Sequence, residues 1–167
     1  DGIDISKYES VLNPYTKLTY LISNYQNPTG ISYSEIKRKD VASLAIRNNS
    51  LIVEDDPYGK ITFSGNTNTN IFKYAPNNTI LLGSFSKSIA PGFRLGWIIA
   101  NKEIINKLEI AKQATDLHTD IFAQYVVHDF LTHNNIDEHL VIINKAYKTQ
   151  AEAMVKAIKE YLPMGTC

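Results

Sequence analysis

Short, almost uninterrupted apolar runs constrain the fold of this chain more than any other feature of its sequence. The runs cover residues 18–24, 51–53, 80–83 and 94–100. Their length and their content of β-branched and aromatic residues are typical of strands, and near-continuous apolar strands are buried on both faces. The runs therefore predict an α/β fold in which a mostly parallel sheet lies between helices.

A helix is predicted between the first two strands. Ser32 and Glu35 have the spacing of a capping box, which is a common start of a helix. The helix is expected to extend to about residue 48. Its buried side is marked by Val41, Leu44 and Ala45.

The chain from Lys102 onward has a helical pattern. In its last part, apolar residues recur every three or four positions, which places them on one stripe of a long helix. A stripe of this kind is most often part of a core, so we expect it to be buried. It consists of Leu140, Ile143, Tyr147, Ala151, Met154, Ile158 and Tyr161.

Charge and cysteine content exclude several classes of function. The 167 residues include 17 basic and 17 acidic side chains, so the formal net charge is zero. No polybasic block occurs, which argues against a nucleic-acid or membrane surface. No apolar run has the length of a membrane helix. Cys167 is the only cysteine, so no disulfide can form within the chain, and we expect a reducing, cytoplasmic compartment. The histidines show no metal-ligand grouping, so no metal site is predicted.

Polar residues collect where the first three predicted strands end. Asn27 follows the first strand, Asp55 the second, and Ser84, Ser86 and Lys87 the third. In open α/β sheets, ligands bind beyond the carboxyl ends of the strands. We therefore expect the three strand ends to converge on one pocket.

The segment from Ser84 to Arg94 has the chemistry to bind a phosphorylated aldehyde. Hydroxyls and a guanidinium suit a phosphate, and a lysine in a partly dry pocket can lose its proton and attack a carbonyl. Each residue also has an ordinary interpretation. Lys87 could be a solvated lysine and Arg94 the partner of a surface carboxylate. Asp55 and Asp56 could likewise be solvated carboxylates. Tyr58 could be a packing residue, and Asn27 could be a turn residue.

Three tetrapeptides, in this order, resemble the signature of fold-type I pyridoxal phosphate (PLP) enzymes, and more narrowly of the class I/II aminotransferases. They are Asn27-Pro28-Thr29-Gly30, Asp55-Asp56-Pro57-Tyr58 and Ser84-Phe85-Ser86-Lys87, with Arg94 following. The resemblance extends from Tyr20 to about Tyr161. Any one tetrapeptide can arise by chance, whereas three in this order and spacing point to the family.

The resemblance implies how the cofactor reacts. Lys87 would hold PLP as a Schiff base and, once substrate has displaced it, would carry the proton that moves during the reaction. Asp55 would pair with the pyridinium nitrogen and keep it protonated, so that the ring works as an electron sink.

The resemblance also implies how the cofactor is held. Tyr58 and Asn27 would hydrogen-bond the phenolic oxygen of the ring. Arg94 and Ser84 would bind the phosphate, with Ser86 as a second hydroxyl.

Two groups of proteins share a finer resemblance with residues 24–33, 54–59 and 113–119. One group is the aminotransferases that act on 2-aminoadipate, aromatic or branched amino acids. The other is the aminotransferase-like half of GntR/MocR-type transcription regulators. The resemblance thus implies an enzyme with an amino acid and a 2-oxo acid as substrates, or an effector domain whose separate partner domain binds DNA. A PLP lyase is a weaker alternative, because the Asn-Pro-Thr-Gly motif and the position of Arg94 count against it.

A longer protein is implied as well. Residues 1–134 would form the second half of a PLP-binding large domain, and residues 135–167 a long helix leading toward a small C-terminal domain. The phosphate loop and the ring-stacking aromatic would precede this segment, and the arginine for the substrate carboxylate would follow it. We therefore expect the 167 residues alone to be inactive. The family builds its sites at a dimer interface, so a homodimer is expected, with residues 116–119 near the partner's site.

Overall fold

The computed structural model describes residues 2–65 and 67–163, so Cys167 lies outside the described residues. Strands and helices alternate in the first part of the chain, and helices follow one another in the second. The strands and α-helices are α1 (Ile5–Val11), β1 (Leu18–Leu21), α2 (Glu35–Arg47), β2 (Leu51–Asp55), β3 (Thr79–Ser84), β4 (Gly96–Ile99), α3 (Lys102–Thr115), α4 (Ile121–His133) and α5 (Ile136–Tyr161). Two 3₁₀ turns cover Ile71–Lys73 and Pro91–Phe93.

The strands form one sheet in the order β1-β2-β3-β4. β1, β2 and β3 are parallel neighbours, whereas β4 runs antiparallel to β3. The predicted α/β fold with a mostly parallel sheet is therefore confirmed. β1 ends at Leu21 instead of continuing to Asn24, because Ser23 and Asn24 turn away to bind the buried side chain of Arg38.

The start of α2 differs from the prediction. A capping box at Ser32 and Glu35 is wrong, because the N-cap is Ser34, whose side chain accepts a hydrogen bond from the Lys37 backbone at 3.3 Å. Ser32 accepts one from the Tyr25 backbone at 2.9 Å and thereby closes the preceding loop. The predicted buried side of the helix is confirmed: its residues, at most 1% exposed, are Val41, Leu44 and Ala45.

The two faces of the sheet differ in how well they are covered. The first face carries Ile52 and Leu81, which are buried on the side where α2 and the Ile71–Lys73 turn pack. The second face carries Leu18 and Tyr20, which are 57% and 56% exposed. In the part of the chain that the structure describes, the second face is thus open at β1, whereas Val53 on β2 and Ile80 on β3 are half-buried.

The long C-terminal helix is confirmed, but its apolar stripe is not buried as predicted. Leu140 is 9% exposed, whereas Met154 and Tyr161 are 63% and 75% exposed. The helix is anchored through its first half, where the Asn144 amide donates to Lys60 O at 3.1 Å. Over its second half, no described element buries the stripe. Among the described residues, no helix combines the length and apolarity that crossing a membrane requires.

Candidate functional site

The carboxyl ends of β1, β2 and β3 lie side by side because these strands are parallel neighbours. Asp55 ends β2 and pairs in register with Leu82 of β3. Since side chains alternate along a strand, Asp55, Leu82 and Ser84 point to the same face. This is the more open face, which also carries Tyr20. The structure thus brings a carboxylate and a hydroxyl of the predicted site to one edge and one face of the sheet.

Tyr20 was not recognised as a site residue from the sequence. Its hydroxyl donates a hydrogen bond to Asp55 Oδ2 at 2.5 Å. This hydrogen bond is the largest cause that raises the pKa of Tyr20 to about 12, with smaller contributions from burial and from the charge of Asp55. The sequence could have placed Tyr20 and Leu18 on one face, because they are two positions apart in the strand that precedes the Asp55 strand.

Asp56 is engaged differently from its neighbour Asp55. Its Oδ1 accepts hydrogen bonds from Asn24 Nδ2 at 3.0 Å and from the Gly59 backbone at 2.9 Å, and its Oδ2 accepts one from Asn70 Nδ2 at 2.7 Å. A Cβ at Gly59 would overlap this carboxylate and would force it to move. Asp56 therefore holds loops together, whereas Tyr20 is the only side chain that hydrogen-bonds Asp55 among the described residues.

Glu54 is a fully buried carboxylate on the opposite face of β2. It accepts hydrogen bonds from Ser23 Oγ at 2.5 Å and from the backbones of Ile71 and Phe72 at 3.0 Å each. These three bonds join β2 to the loop after β1 and to the turn before β3. A buried carboxylate is tolerated because its oxygens are satisfied in this way.

Arg38 completes this buried network from helix α2, where it is 1% exposed. Its guanidinium donates to Ser23 Oγ and Ser23 O at 2.9 Å each, to Asn24 Oδ1 at 2.7 Å and to Tyr33 O at 3.1 Å. Burial lowers the pKa of Arg38, and the charges of Glu54 and Asp56 oppose that shift. Because Ser23 and Tyr33 flank the Asn27 loop, Arg38 closes the base of that loop. Neither Arg38 nor Glu54 was singled out from the sequence.

Asn27 lies in the exposed loop after β1, and the Asn27–Pro28 peptide bond is cis. The Gln26 side chain organises this loop: its Nε2 donates to Asn27 O at 2.6 Å, and its Oε1 accepts from Thr29 N at 3.1 Å. The Asn27 side chain makes no hydrogen bond with the described residues. Tyr58 lies half-buried in the turn after β2, where its carbonyl accepts from the Ile61 backbone at 2.8 Å.

Lys87 lies in the turn that follows β3. The turn is closed by a hydrogen bond from Ile89 N to Phe85 O at 2.8 Å. Helix α5 supports it, because His139 Nε2 donates to Ser88 O at 3.0 Å. The Lys87 side chain is exposed, and its ammonium has neither a hydrogen bond nor an ion pair within residues 2–65 and 67–163.

Arg94 follows the 3₁₀ turn Pro91–Phe93 with a left-handed backbone, at φ 53°. A residue other than glycine in this region costs about 1–3 kcal/mol, and such residues cluster at functional sites. Its guanidinium is exposed and has no partner in the described part of the chain. Nearby, Ser84 Oγ accepts a hydrogen bond from the Ser86 backbone at 3.1 Å and thereby starts the Lys87 turn.

The expected single pocket is not enclosed. A cavity of about 240 Å³ borders Ser84, Asp56 and Trp97. Its lining does not include Asp55 or Lys87. The predicted residues lie instead around an open edge, because nothing described covers the second face of β1.

The side chains at this edge fit PLP. Asp55 retains one carboxylate oxygen without a partner, and the cations of Lys87 and Arg94 are both unpaired among the described residues. Carboxylate, amine, guanidinium and hydroxyl groups are the set that an aromatic cation, an aldehyde and a phosphate require.

Comparison with known proteins identifies the family. The sequence model described as aminotransferase class I and II matches residues 2–166. The chain is 41% identical over 150 residues to aromatic-amino-acid aminotransferase 1 of Thermococcus litoralis, covering 89% of this chain and 36% of that protein. It is 33% identical to the 2-aminoadipate transaminase of Thermus thermophilus, covering 98% and 42%. It is also 32% identical to the HTH-type transcriptional regulator NorG of Staphylococcus aureus, covering 88% and 33%.

Solved structures agree with the family match. The kynurenine aminotransferase of Pyrococcus horikoshii, in complex with PMP, has a TM-score of 0.89 at 37% identity over 98% of this chain and 42% of its own. LysN, the α-aminoadipate aminotransferase of Thermus thermophilus, complexed with N-(5'-phosphopyridoxyl)-L-leucine, has a TM-score of 0.90 at 33% identity over 97% and 43%. The chain thus spans about two-fifths of these relatives. The family and these complexes imply PLP as the cofactor, and the chain belongs to the class I and II aminotransferases.

Proposed function

We propose that the natural protein is a PLP-dependent aminotransferase that moves an amino group between an amino acid and a 2-oxo acid, with Lys87 holding the cofactor as a Schiff base. One observation carries this proposal. Asp55 and Ser84 share the open face of the sheet at its carboxyl edge, and the unpaired Lys87 follows Ser84 in the next turn. Ligands bind at this edge in open α/β sheets.

PLP supplies an electron sink when it is bound. Asp55 would keep the ring nitrogen protonated by pairing with it through its carboxylate. Lys87 would bind the aldehyde carbon and would then hold and return the proton that leaves the substrate. The exposed position of Lys87 in a short turn leaves its long side chain free to serve both steps.

The remaining residues would orient the cofactor. Asn27 and Tyr58, in the loops after β1 and β2, would hydrogen-bond the phenolic oxygen. Arg94, with Ser84 and Ser86, would bind the phosphate, because a guanidinium and hydroxyls are strong donors to phosphate oxygens. The left-handed conformation of Arg94 sets the direction in which its side chain leaves the loop.

We also propose the organisation of the whole protein. Residues 1–134 belong to the large domain, and residues 135–167 form the helix toward a small domain. The protein is a cytoplasmic homodimer. A surface with exposed apolar side chains supports the dimer: Leu117, Phe122 and Tyr125 are 67%, 73% and 69% exposed.

The relatives support aromatic amino acids, kynurenine or 2-aminoadipate as the substrate class, because these are the substrates in their names. The test is a transamination assay of the natural protein with phenylalanine, kynurenine and 2-aminoadipate as donors and 2-oxoglutarate as acceptor. Activity with none of these donors would contradict the proposed substrate class.

Two matched substitutions test the site. Asp55→Asn should lower turnover on the order of 10²-fold or more, since an amide cannot stabilise the ring cation. Asp56→Asn should lower turnover much less, because Asp56 is occupied by three structural donors. Equal losses would show that the carboxylate is misassigned.

A second candidate function is a PLP-binding effector domain of a GntR/MocR-type regulator, favoured by the 32% identity to the regulator NorG. The natural reading frame separates the two. A basic helix-turn-helix domain ahead of this segment, with specific binding to promoter DNA, would identify the regulator.

A further inference from the structure

The contact between Tyr20 and Asp55 links two neighbouring strands on the open face of the sheet. The Tyr20 hydroxyl occupies Oδ2 of the carboxylate at 2.5 Å, and no other side chain hydrogen-bonds Asp55 among the described residues. A hydrogen bond to an ionised group is shorter and stronger than a neutral one. The Tyr20 hydroxyl therefore fixes the orientation of the Asp55 carboxylate.

This contact is not needed to hold the core together. Tyr20 is 56% exposed, and it does not belong to the buried cluster that α2 forms with the first face of the sheet. β1 and β2 are joined by their own ladder of backbone hydrogen bonds. The Tyr20 hydroxyl therefore does not pack in the core, and its hydrogen bond is made to the Asp55 carboxylate.

The phenol remains a donor under all ordinary conditions. The hydrogen bond to Asp55 raises the pKa of Tyr20 to about 12, so the hydroxyl keeps its proton at neutral and mildly alkaline pH. A donor that never ionises in the working range exerts a constant effect on the carboxylate.

We propose that Tyr20 is a positioning residue for the cofactor carboxylate: its hydroxyl holds Oδ2 of Asp55, leaves Oδ1 to face the ring nitrogen, and takes up part of the negative charge. This inference rests on the proposed function, because it assigns Asp55 to the ring nitrogen. It adds to the site a residue that lies on β1, outside the loops that carry the sequence motifs.

A change in charge follows from this arrangement. Without the hydroxyl, the carboxylate keeps its full negative charge beside the bound cofactor. A nearby negative charge stabilises the protonated form of a titrating group and raises its pKa. The pH midpoint of the visible absorption of the bound cofactor should therefore rise in Tyr20→Phe, by about 0.5 unit if one hydrogen bond is responsible.

The experiment is a pH titration of the visible absorption of the natural holoenzyme. It compares the natural protein with Tyr20→Phe and with Tyr15→Phe, a matched loss of a phenol that is 86% exposed and precedes β1. It is repeated in the Asp55→Asn background. We expect an upward shift in Tyr20→Phe, no shift in Tyr15→Phe, and no effect of Tyr20→Phe once Asp55 is an amide, because the coupling passes through that carboxylate.

Two results would overturn the inference. Tyr20→Phe could titrate like Tyr15→Phe, or its shift could persist in the Asp55→Asn background. In both cases the titrating absorption shows that a cofactor is still bound, and the proposed function stands. If the natural protein loaded with PLP showed no visible absorption of a bound cofactor, the proposed function and this inference would both be overturned.

Discussion

The part of the chain built around β1–β3 is packed, whereas the helices α3–α5 are largely open. Helix α2 buries five residues, and the sheet adds Leu21 and Ile52 to the same core. Helix α3 buries none, and α5 buries one of its 26 residues, Leu140. The first part is therefore held by its own core, and the second part offers surface for other contacts.

The candidate site lies across this divide. Asp55 follows Glu54, and Glu54 is held on the opposite face of β2 by the buried network that includes Arg38. The proposed pyridinium end of the site is therefore supported by the packed part. The turn with Lys87 rests on a smaller cluster, in which α4 packs against Leu95, and on one hydrogen bond from α5. We infer that the ring end of the site is rigid and that the lysine end depends on the open helices.

The largest effect is expected from breaking the buried network. Arg38→Met should lower the free energy of unfolding by about 3–5 kcal/mol, because several acceptors on Ser23, Asn24 and Tyr33 lose their donor and Glu54 loses the favourable charge of the guanidinium. Arg47→Met is the matched control, since within residues 2–65 and 67–163 Arg47 pairs only with exposed Glu9, and such pairs contribute about 0–1 kcal/mol. Urea unfolding of the natural protein measures both. A loss at Arg38 no larger than that at Arg47 would contradict the role of the network.

An isoleucine-to-alanine substitution in the packed part and another in the open helices test the difference in burial between them. Ile52→Ala should cost about 2–5 kcal/mol, because Ile52 is fully buried and a cavity remains. Ile142→Ala should change the stability by about 0.5 kcal/mol or less, because Ile142 on α5 is 69% exposed. Urea unfolding decides between them. A large loss at Ile142 would show that α5 is buried in the natural protein against something outside the described residues.

The open surface should be an interface. Phe122→Glu on α4 should weaken the homodimer by about 30-fold, because buried aromatic residues near an interface centre contribute about 2 kcal/mol or more. Ile36→Glu on α2 is the control, since Ile36 is equally exposed, at 73%, on the packed part. Sedimentation equilibrium measures the dissociation constants. Dimers of equal strength in both variants would place the interface elsewhere.

The smallest effect concerns an exposed pair on the packed part. Hydrogen bonds from Lys39 and Tyr74 and the charge of Lys39 lower the pKa of Glu35. A folded pKa below the unfolded value means that the stabilisation is present above about pH 4.5 and is lost as the pH falls through the folded pKa. Glu35→Gln should therefore destabilise slightly at pH 7 and less at pH 3. A deficit of equal size at both values, in urea unfolding, would contradict this.

The sequence was informative where burial leaves a periodic pattern. Continuous apolar runs located the strands, and the parallel order of β2 and β3 placed Asp55 and Ser84 at one edge. The α5 stripe was placed correctly on one helix but wrongly in a core. Periodicity shows which residues share a face, and it does not show what covers that face.

Hydrophobic periodicity could not locate the buried polar groups. Arg38 and Glu54 sit among charged residues in the sequence, where a charged side chain normally indicates solvent. They are joined through Ser23, by contacts between α2, the loop after β1, and β2, which no local pattern encodes. Tyr20 escaped notice for a similar reason, because its partner lies 35 residues away.

The site assignment rests most directly on Lys87, and one measurement tests it. The natural protein is loaded with PLP, reduced with borohydride, digested and mapped by mass spectrometry. We predict that the pyridoxyl mass lies on the peptide that contains Lys87, in the turn after β3. A pyridoxyl group on Lys60 or Lys73 instead would contradict the account.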